Sequence, residues 1–194
     1  MHKTIIGDKE IRIALKDLLE KQYKNTPNTL ILDELGLGHG HVRVDVAVIN
    51  GALHGYELKS DKDTLFRLPE QSRAYSLVFD QITLITGKRH IFGAIKIIPD
   101  WWGIKIAAMG PRGRVRFHVI RQASANPTPS PIAILELLWK EEALNFLGEL
   151  DSAKGFRSKK RSEIYNRIVE IGSLKAIKSK VRNQLRSRPT WRSE

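Results

Sequence analysis

Residues 42–59, VRVDVAVINGALHGYELK, alternate apolar side chains with others on both sides of an Asn50-Gly51 turn signal. That is the pattern of two antiparallel strands joined by a tight connection, with at least one face buried. Two carboxylates and an amine interrupt it: Asp45 on the first strand, then Glu57 and Lys59 on the second. A carboxylate or ammonium inside an apolar strand costs free energy unless it is paired or ligates a metal. This hairpin therefore constrains both the fold and the chemistry.

Period-two alternation puts Val42, Val44, Val46 and Val48 on one face, and Arg43, Asp45, Ala47 and Ile49 on the other. Beyond the turn, Leu53, Gly55, Glu57 and Lys59 share a face. The register decides whether Asp45 joins Glu57. A strict two-residue loop pairs Ile49 with Ala52 and sets Asp45 opposite Tyr56. A three-residue loop with Gly51 left-handed pairs Val48 with Ala52 and brings Asp45 to the Glu57 face, as does a one-residue bulge. A shared site requires the longer loop or the bulge.

Around the hairpin, Asp8 is expected to cap a helix over about 9–24, with Ile11, Leu15, Leu18 and Leu19 on one face. A strand at 29–35 and the loop GLGHGH precede the hairpin. A helix over about 64–79 follows it, then a strand at 81–86 and a short helix over about 89–97. A second hairpin is expected at 103–108 and 114–120, turned by Gly110 to Gly113. ANPTPSP, 125–131, reads as a linker, and only helical patterns follow, over about 131–149, 159–171 and 173–187. This order predicts an α/β sandwich around a central mixed β-sheet, with residues 1–125 as the core and 126–194 as a basic helical C-terminal extension.

The chain has 194 residues, no cysteine and a formal net charge of +12. The charge is concentrated: residues 154–194 hold 13 Lys/Arg against Glu163, Glu170 and Glu194. Such a segment suits the phosphates of nucleic acid, and it suits an acidic protein partner or a solvated surface as well. Arg157, Lys159, Lys160, Arg161, Lys178, Lys180, Arg182 and Arg186 are the candidate phosphate contacts. No apolar run reaches the ~18 residues that span a bilayer, and the N-terminal ten residues lack a leader's apolar stretch, so a cytoplasmic location is expected. No P-loop, dinucleotide fingerprint or Ser/His/Asp spacing is present.

With the longer loop, Asp45 and Glu57 can ligate one hard cation, Mg²⁺ or Mn²⁺, through oxygen. Such an ion polarises a phosphate and acidifies a bound water. Lys59 would orient that water or stabilise the charge that develops on phosphorus. The plain alternative is a cross-strand salt bridge. Asp45, the apolar run and Glu57-Leu58-Lys59 resemble the signature of the PD-(D/E)XK nuclease superfamily, with Val44 where its name expects proline. Gln71-Ser72-Arg73-Ala74-Tyr75 resembles the Q-x-x-x-Y motif of the RecB-like branch. At i and i+4, Gln71 and Tyr75 share one helix face with Leu68.

The longer pattern from Glu34 to Gln71, continuing to Pro99-Asp100-Trp101-Trp102-Gly103, resembles a family of bacterial and phage proteins placed in that superfamily. The resemblance implies a restriction-endonuclease-like α/β/α sandwich and a Mg²⁺- or Mn²⁺-dependent deoxyribonuclease. Asp45 and Glu57 would be its metal ligands, and Gln71 and Tyr75 would support substrate. It also implies one further acid, Glu34 or Glu10, with Glu34 favoured because it interrupts an apolar strand face. Arg43 would neutralise the acids or touch phosphate. His39 and His41, Arg67 and Arg73, and Trp101-Trp102 are secondary candidates for phosphate, DNA-path and stacking roles, each with an ordinary surface or packing explanation. The rival expectation is a catalytically inactive nuclease-fold protein that binds nucleic acid as a phage or mobile-element regulator or inhibitor.

Overall fold

The computed structural model describes residues 6–150 and 153–189. Residues 1–5 and Glu194, which entered the readings above, lie outside them. The chain runs α1 (Asp8–Tyr23), β1 (Leu30–Leu37), β2 (Val42–Ile49), β3 (Leu53–Lys59), α2 (Leu68–Val78) and β4 (Gln81–Thr86). A 3-10 turn (Lys88–His90), α3 (Ile91–Ile95), β5 (Gly103–Met109) and β6 (Val115–Arg121) follow. The chain closes with α4 (Pro131–Leu135), α5 (Lys140–Leu150), α6 (Arg161–Ile171) and α7 (Leu174–Ser187).

The six strands form one mixed sheet in sequence order. The β3–β4 and β4–β5 pairs are parallel and the others antiparallel. The architecture is therefore α/β, with helices on both faces and a helical C-terminal region. On one face, Ile11, Leu15 and Leu19 of α1 pack on Val46, Val48, Tyr56, Leu58 and Ile85. On the other, Tyr75, Val78 and Phe79 at α2 join Ala47, Ile49, Leu84 and Trp102. Ile134, Leu144, Ile164, Ile168, Ile177, Val181 and Leu185 belong to that same second core. The helices after residue 131 thus complete a core layer with the sheet. Among the described residues no helix is long and apolar enough to cross a membrane.

Several boundaries depart from expectation for local reasons. Asp8 opens α1 rather than capping it: Gly7 is the cap residue, and its N–H donates to Glu10 Oε2 at 3.0 Å. This gives Glu10 the role of a helix cap. α2 starts four residues late, at Leu68, where Pro69, which lacks an N–H, is tolerated in the first turn. The helix expected over 131–149 is two helices. Glu142 takes the Trp139 N–H at 2.8 Å and so starts α5. The carbonyls of Leu137 and Leu138 near the break accept from Arg188 Nη2 at 2.7 Å and Tyr165 Oη at 2.9 Å.

Candidate active site

The first hairpin has a longer loop, as a shared site requires, but not the expected register. Ile49 pairs with Leu53, so the loop is Asn50-Gly51-Ala52. Asn50 N–H donates to Ala52 O at 3.0 Å, and Asn50 Oδ1 accepts from Ala52 N–H at 3.1 Å. The side-chain turn removes the need for a left-handed Gly51, which is absent from the positive-φ residues. Continued along the strands, this register sets Asp45 level with Glu57. The backbone ladder ends one pair earlier, at Val46 and Tyr56. There Asp45 Oδ2 takes over and accepts the Leu58 N–H at 2.8 Å.

The alternation of side chains also slips at this level. Leu32 and Leu35 on β1, and Val44 and Ala47 on β2, all enter the core on the α2 side, while Val46 and Val48 enter the α1 side. The four valines therefore do not share one face. The physical reason is visible in the backbone. Glu34, level with Asp45 in the β1–β2 register, has a left-handed φ of 58°, uncommon for a non-glycine residue and a break in period two.

Because of the slip, Asp45 is reached from the α1 side and Glu57 from the α2 side. Arg12 of α1 donates to Asp45 Oδ1 at 2.7 Å and to Asp45 O at 2.8 Å, and lies 3.5 Å from Glu34. Glu57, 1% exposed, forms a direct ion pair with buried Lys59 and accepts from Tyr75 Oη at 2.7 Å. Tyr75 Oη also lies 2.7 Å from Arg43 O and 3.3 Å from Gln71 Nε2. Trp102 stacks behind Tyr75, with centroids 6.1 Å apart and planes 10° from parallel.

Burial, and then the nearby Asp45 charge, push the Glu57 carboxyl up to about 7, against the opposing pull of Lys59. Burial and Glu57 likewise push the Tyr75 hydroxyl well above its ordinary range. The two carboxylates thus sense each other although each has its own cation. Gln71 Oε1 is buried with no hydrogen-bond partner, an acceptor left open beside this cluster.

The remaining expected residues sit at varied distances from this centre. Glu34 is half exposed and is held by Arg12 and Arg43, the latter at 3.5 Å. Arg43 lines the adjoining cleft with Asp33, Glu34, His39 and Arg161. His39 Nδ1 lies 3.5 Å from Arg161 Nη1, while His41 is exposed. Trp102 is wholly buried, and Trp101 packs beside it. Arg157, Lys159, Lys160 and Arg161 face solvent.

Of the α7 cations, Lys178, Lys180, Arg182 and Arg186 are internal ties. Lys178 pairs with Asp80 at 2.6 Å, Arg182 approaches the same acid at 3.6 Å, and Lys180 pairs with Glu149. Arg186 donates to the carbonyls of Asn28 at 3.2 Å and Asn50 at 2.9 Å. They tie α7 to α5, to the α2–β4 junction and to the loops flanking β1 and β2.

Arg12 escaped the sequence reading. Its only signal is a cation next to Ile11 on the helix side carrying Leu15 and Leu19, and its partner is 33 positions away. Among the described residues no three His, Asp or Glu side chains form a group that could hold a metal ion. In kind the donors suit one: two carboxylates supply hard oxygens, and their mutual repulsion is what a divalent cation relieves.

The profile of the family described as Bacteriophage P4 protein cII matches residues 1–194, the whole chain. The chain belongs to the phage P4 cII family. It is similar to Protein cII of Enterobacteria phage P4, 26% identical over 145 residues, which are 75% of this chain and 54% of that protein. The chain therefore spans about half the length of that cII relative. Among solved structures, a protein of unknown function from Silicibacter pomeroyi aligns over 78% of this chain and 93% of its own, at 16% identity and a TM-score of 0.40.

Proposed function

We propose that this protein is a Mg²⁺- or Mn²⁺-dependent nuclease acting on DNA, of the PD-(D/E)XK kind that its hairpin resembles. The observation that supports this reading best is Glu57. It is a buried carboxylate that already has a cation and a tyrosine beside it, yet is pushed up to about 7 by burial and by Asp45. A pair of acids held against their own repulsion is the arrangement expected where a divalent ion belongs. Asp45 and Glu57 would hold the ion, which supplies a polarised phosphate and an acidified water when bound.

The chain's own groups then have distinct tasks. Lys59, in contact with Glu57, orients the attacking water and stabilises charge on the phosphate. Tyr75 fixes the Glu57 carboxylate, and Gln71 positions Tyr75 while offering its open acceptor. Arg12 holds the far side of Asp45 and is itself paired with Glu34. DNA incubated with the protein should be cut in Mg²⁺ or Mn²⁺ but not in EDTA, and Lys59→Ala should abolish cutting. Cutting that survives Lys59→Ala and Asp45→Ala would refute the assignment.

A second reading, a nuclease-fold protein that binds nucleic acid without hydrolysis, is favoured by a different observation. Both Asp45 oxygens are occupied, one by Arg12 and one by the Leu58 N–H. In a protein of that kind, salt-sensitive DNA binding persists with no cleavage in any divalent ion.

A further inference from the structure

Two phenylalanines stand wholly in solvent. Phe66 is 89% exposed and Phe92 is 82% exposed, while Phe79, Phe117, Phe146 and Phe156 are buried or half buried. A single exposed apolar side chain is ordinary, but two on adjoining segments form a feature that needs a use. The segments adjoin because a Cβ at Gly93, next to Phe92, would lie 2.8 Å from Leu65, next to Phe66. They are fastened together elsewhere too. Arg89 N–H donates to Asp61 Oδ1 at 3.3 Å, and Arg89 Nη1 donates to Asp61 O at 3.2 Å.

The same two segments leave the carboxyl ends of β3 and β4, where Gly87 N–H donates to Lys59 O at 3.0 Å. The phenylalanines therefore stand at the sheet end that carries Lys59, and ligands of α/β sheets gather outside the carboxyl ends of parallel strands. The charge around them is mostly positive, with Glu70 of α2 as the exposed acid nearby. Lys62, Arg67, Lys88, Arg89 and Lys96 are exposed. The two acids of these loops are engaged locally, Asp61 with Arg89 and Asp63 with Ser60 at 2.7 Å.

We infer that this rim is a binding platform for single-stranded nucleic acid, with Phe66 and Phe92 stacking on unpaired bases and the surrounding Lys/Arg following the phosphates. Every base has a stackable face, so such a platform tolerates any sequence but needs bases out of a duplex. The platform deepens the nuclease reading by naming its substrate form. It rests on the nucleic-acid part of that reading and not on hydrolysis.

The test is fluorescence anisotropy with a labelled oligothymidylate and with a labelled duplex, in EDTA at low salt. The wild-type chain should prefer the single strand. Phe66→Ala/Phe92→Ala should weaken that binding by about tenfold or more, and Phe66→Leu/Phe92→Leu should weaken it nearly as much. Phe66→Tyr/Phe92→Trp should retain it, and all variants should melt like wild type because these side chains contribute little packing. Undiminished binding by the alanine or leucine pair would overturn the inference, as would binding to anionic vesicles with none to the oligonucleotide. The nuclease reading fails separately. Wild type that binds the strand through both phenylalanines but never cuts leaves the platform standing, while cutting with phenylalanine-independent binding removes the platform alone.

Discussion

Two buried carboxylates, each with a cation in contact, have opposite fates in this molecule. Glu142, 7% exposed, accepts from Arg188 Nη2 at 2.5 Å, Arg188 Nε at 2.9 Å, the Trp139 N–H at 2.8 Å and Gln184 Nε2 at 3.2 Å. Burial alone would push its carboxyl up, but these donors and the Arg188 charge hold it below its ordinary value. Glu57 is buried more deeply, with Lys59 and Tyr75 as donors and Asp45 close enough to repel it, and it is pushed up to about 7. The first site is a satisfied structural joint that pins α7 to the α4–α5 break. The second holds a carboxylate in the middle of the sheet whose burial and repulsion by Asp45 are only partly offset by Lys59 and Tyr75. An arrangement that lowers stability while a more stable alternative is easily built points to function rather than to fold.

The largest expected effect tests the satisfied joint. Arg188→Ala leaves the Glu142 carboxylate buried without its main partner and strips a donor from Leu137 O, so it should cost about 3 kcal/mol in denaturant unfolding. A loss near zero would mean the joint is not the contrast it is taken for.

Next comes a difference in size. At pH 8, Glu142→Gln should destabilise by about 1–2 kcal/mol, because charge-assisted bonds weaken. Glu57→Gln should cost less than Glu142→Gln, because relief of burial and of the repulsion with Asp45 offsets part of the cost of leaving buried Lys59 without its carboxylate partner. The pH dependence follows the same logic. The Glu57 folded value of about 7 lies above the ordinary 4.5. Its contribution is therefore complete below about 4.5 and is lost as pH rises through about 7. Wild type should gain stability relative to Glu57→Gln as pH falls from 8 to 5. Glu142, whose folded value is lowered, contributes above its unfolded value and loses that contribution on the acid side. Melting temperatures of wild type and both variants across pH separate the two windows.

The smallest effects belong to the C-terminal cations. Arg186→Ala removes bonds to the Asn28 and Asn50 carbonyls and should cost about 1 kcal/mol. Lys159→Ala removes a solvent-exposed pair with Glu163 and should change stability by less than about 0.5 kcal/mol. If the two cost the same, the distinction between tying and exposed cations fails.

Most elements were legible because their apolar periods are strong: all six strands and the helices at 8–23, 161–171 and 174–187 lie within a few residues of expectation. The α4–α5 break was not, because the carbonyls it frees are satisfied by Arg188 and Tyr165, which are remote in sequence. The closeness of Asp45 and Glu57 was legible only as a choice between loop lengths. Asn50's side-chain turn selected a pairing, Ile49 with Leu53, that local propensity leaves open. The slip at Glu34, and with it the approach of Arg12 to Asp45, comes from a backbone conformation that no pattern of residue types announces. The basic C-terminus illustrates the same limit. Its charge is plain in composition, but the acids that engage Lys178, Lys180 and Arg182, namely Asp80 and Glu149, lie tens of positions away.

The measurement that bears most directly on the repelling acids is calorimetric titration of Mn²⁺ into the wild-type chain and into Glu57→Gln and Asp45→Asn at pH 8. A single saturable site in wild type, lost in both variants and weakening as pH is lowered through about 7, is the expected result. Wild type that takes up no divalent ion, or variants that take it up as well as wild type, would contradict the assignment of Asp45 and Glu57 as a cation-binding pair.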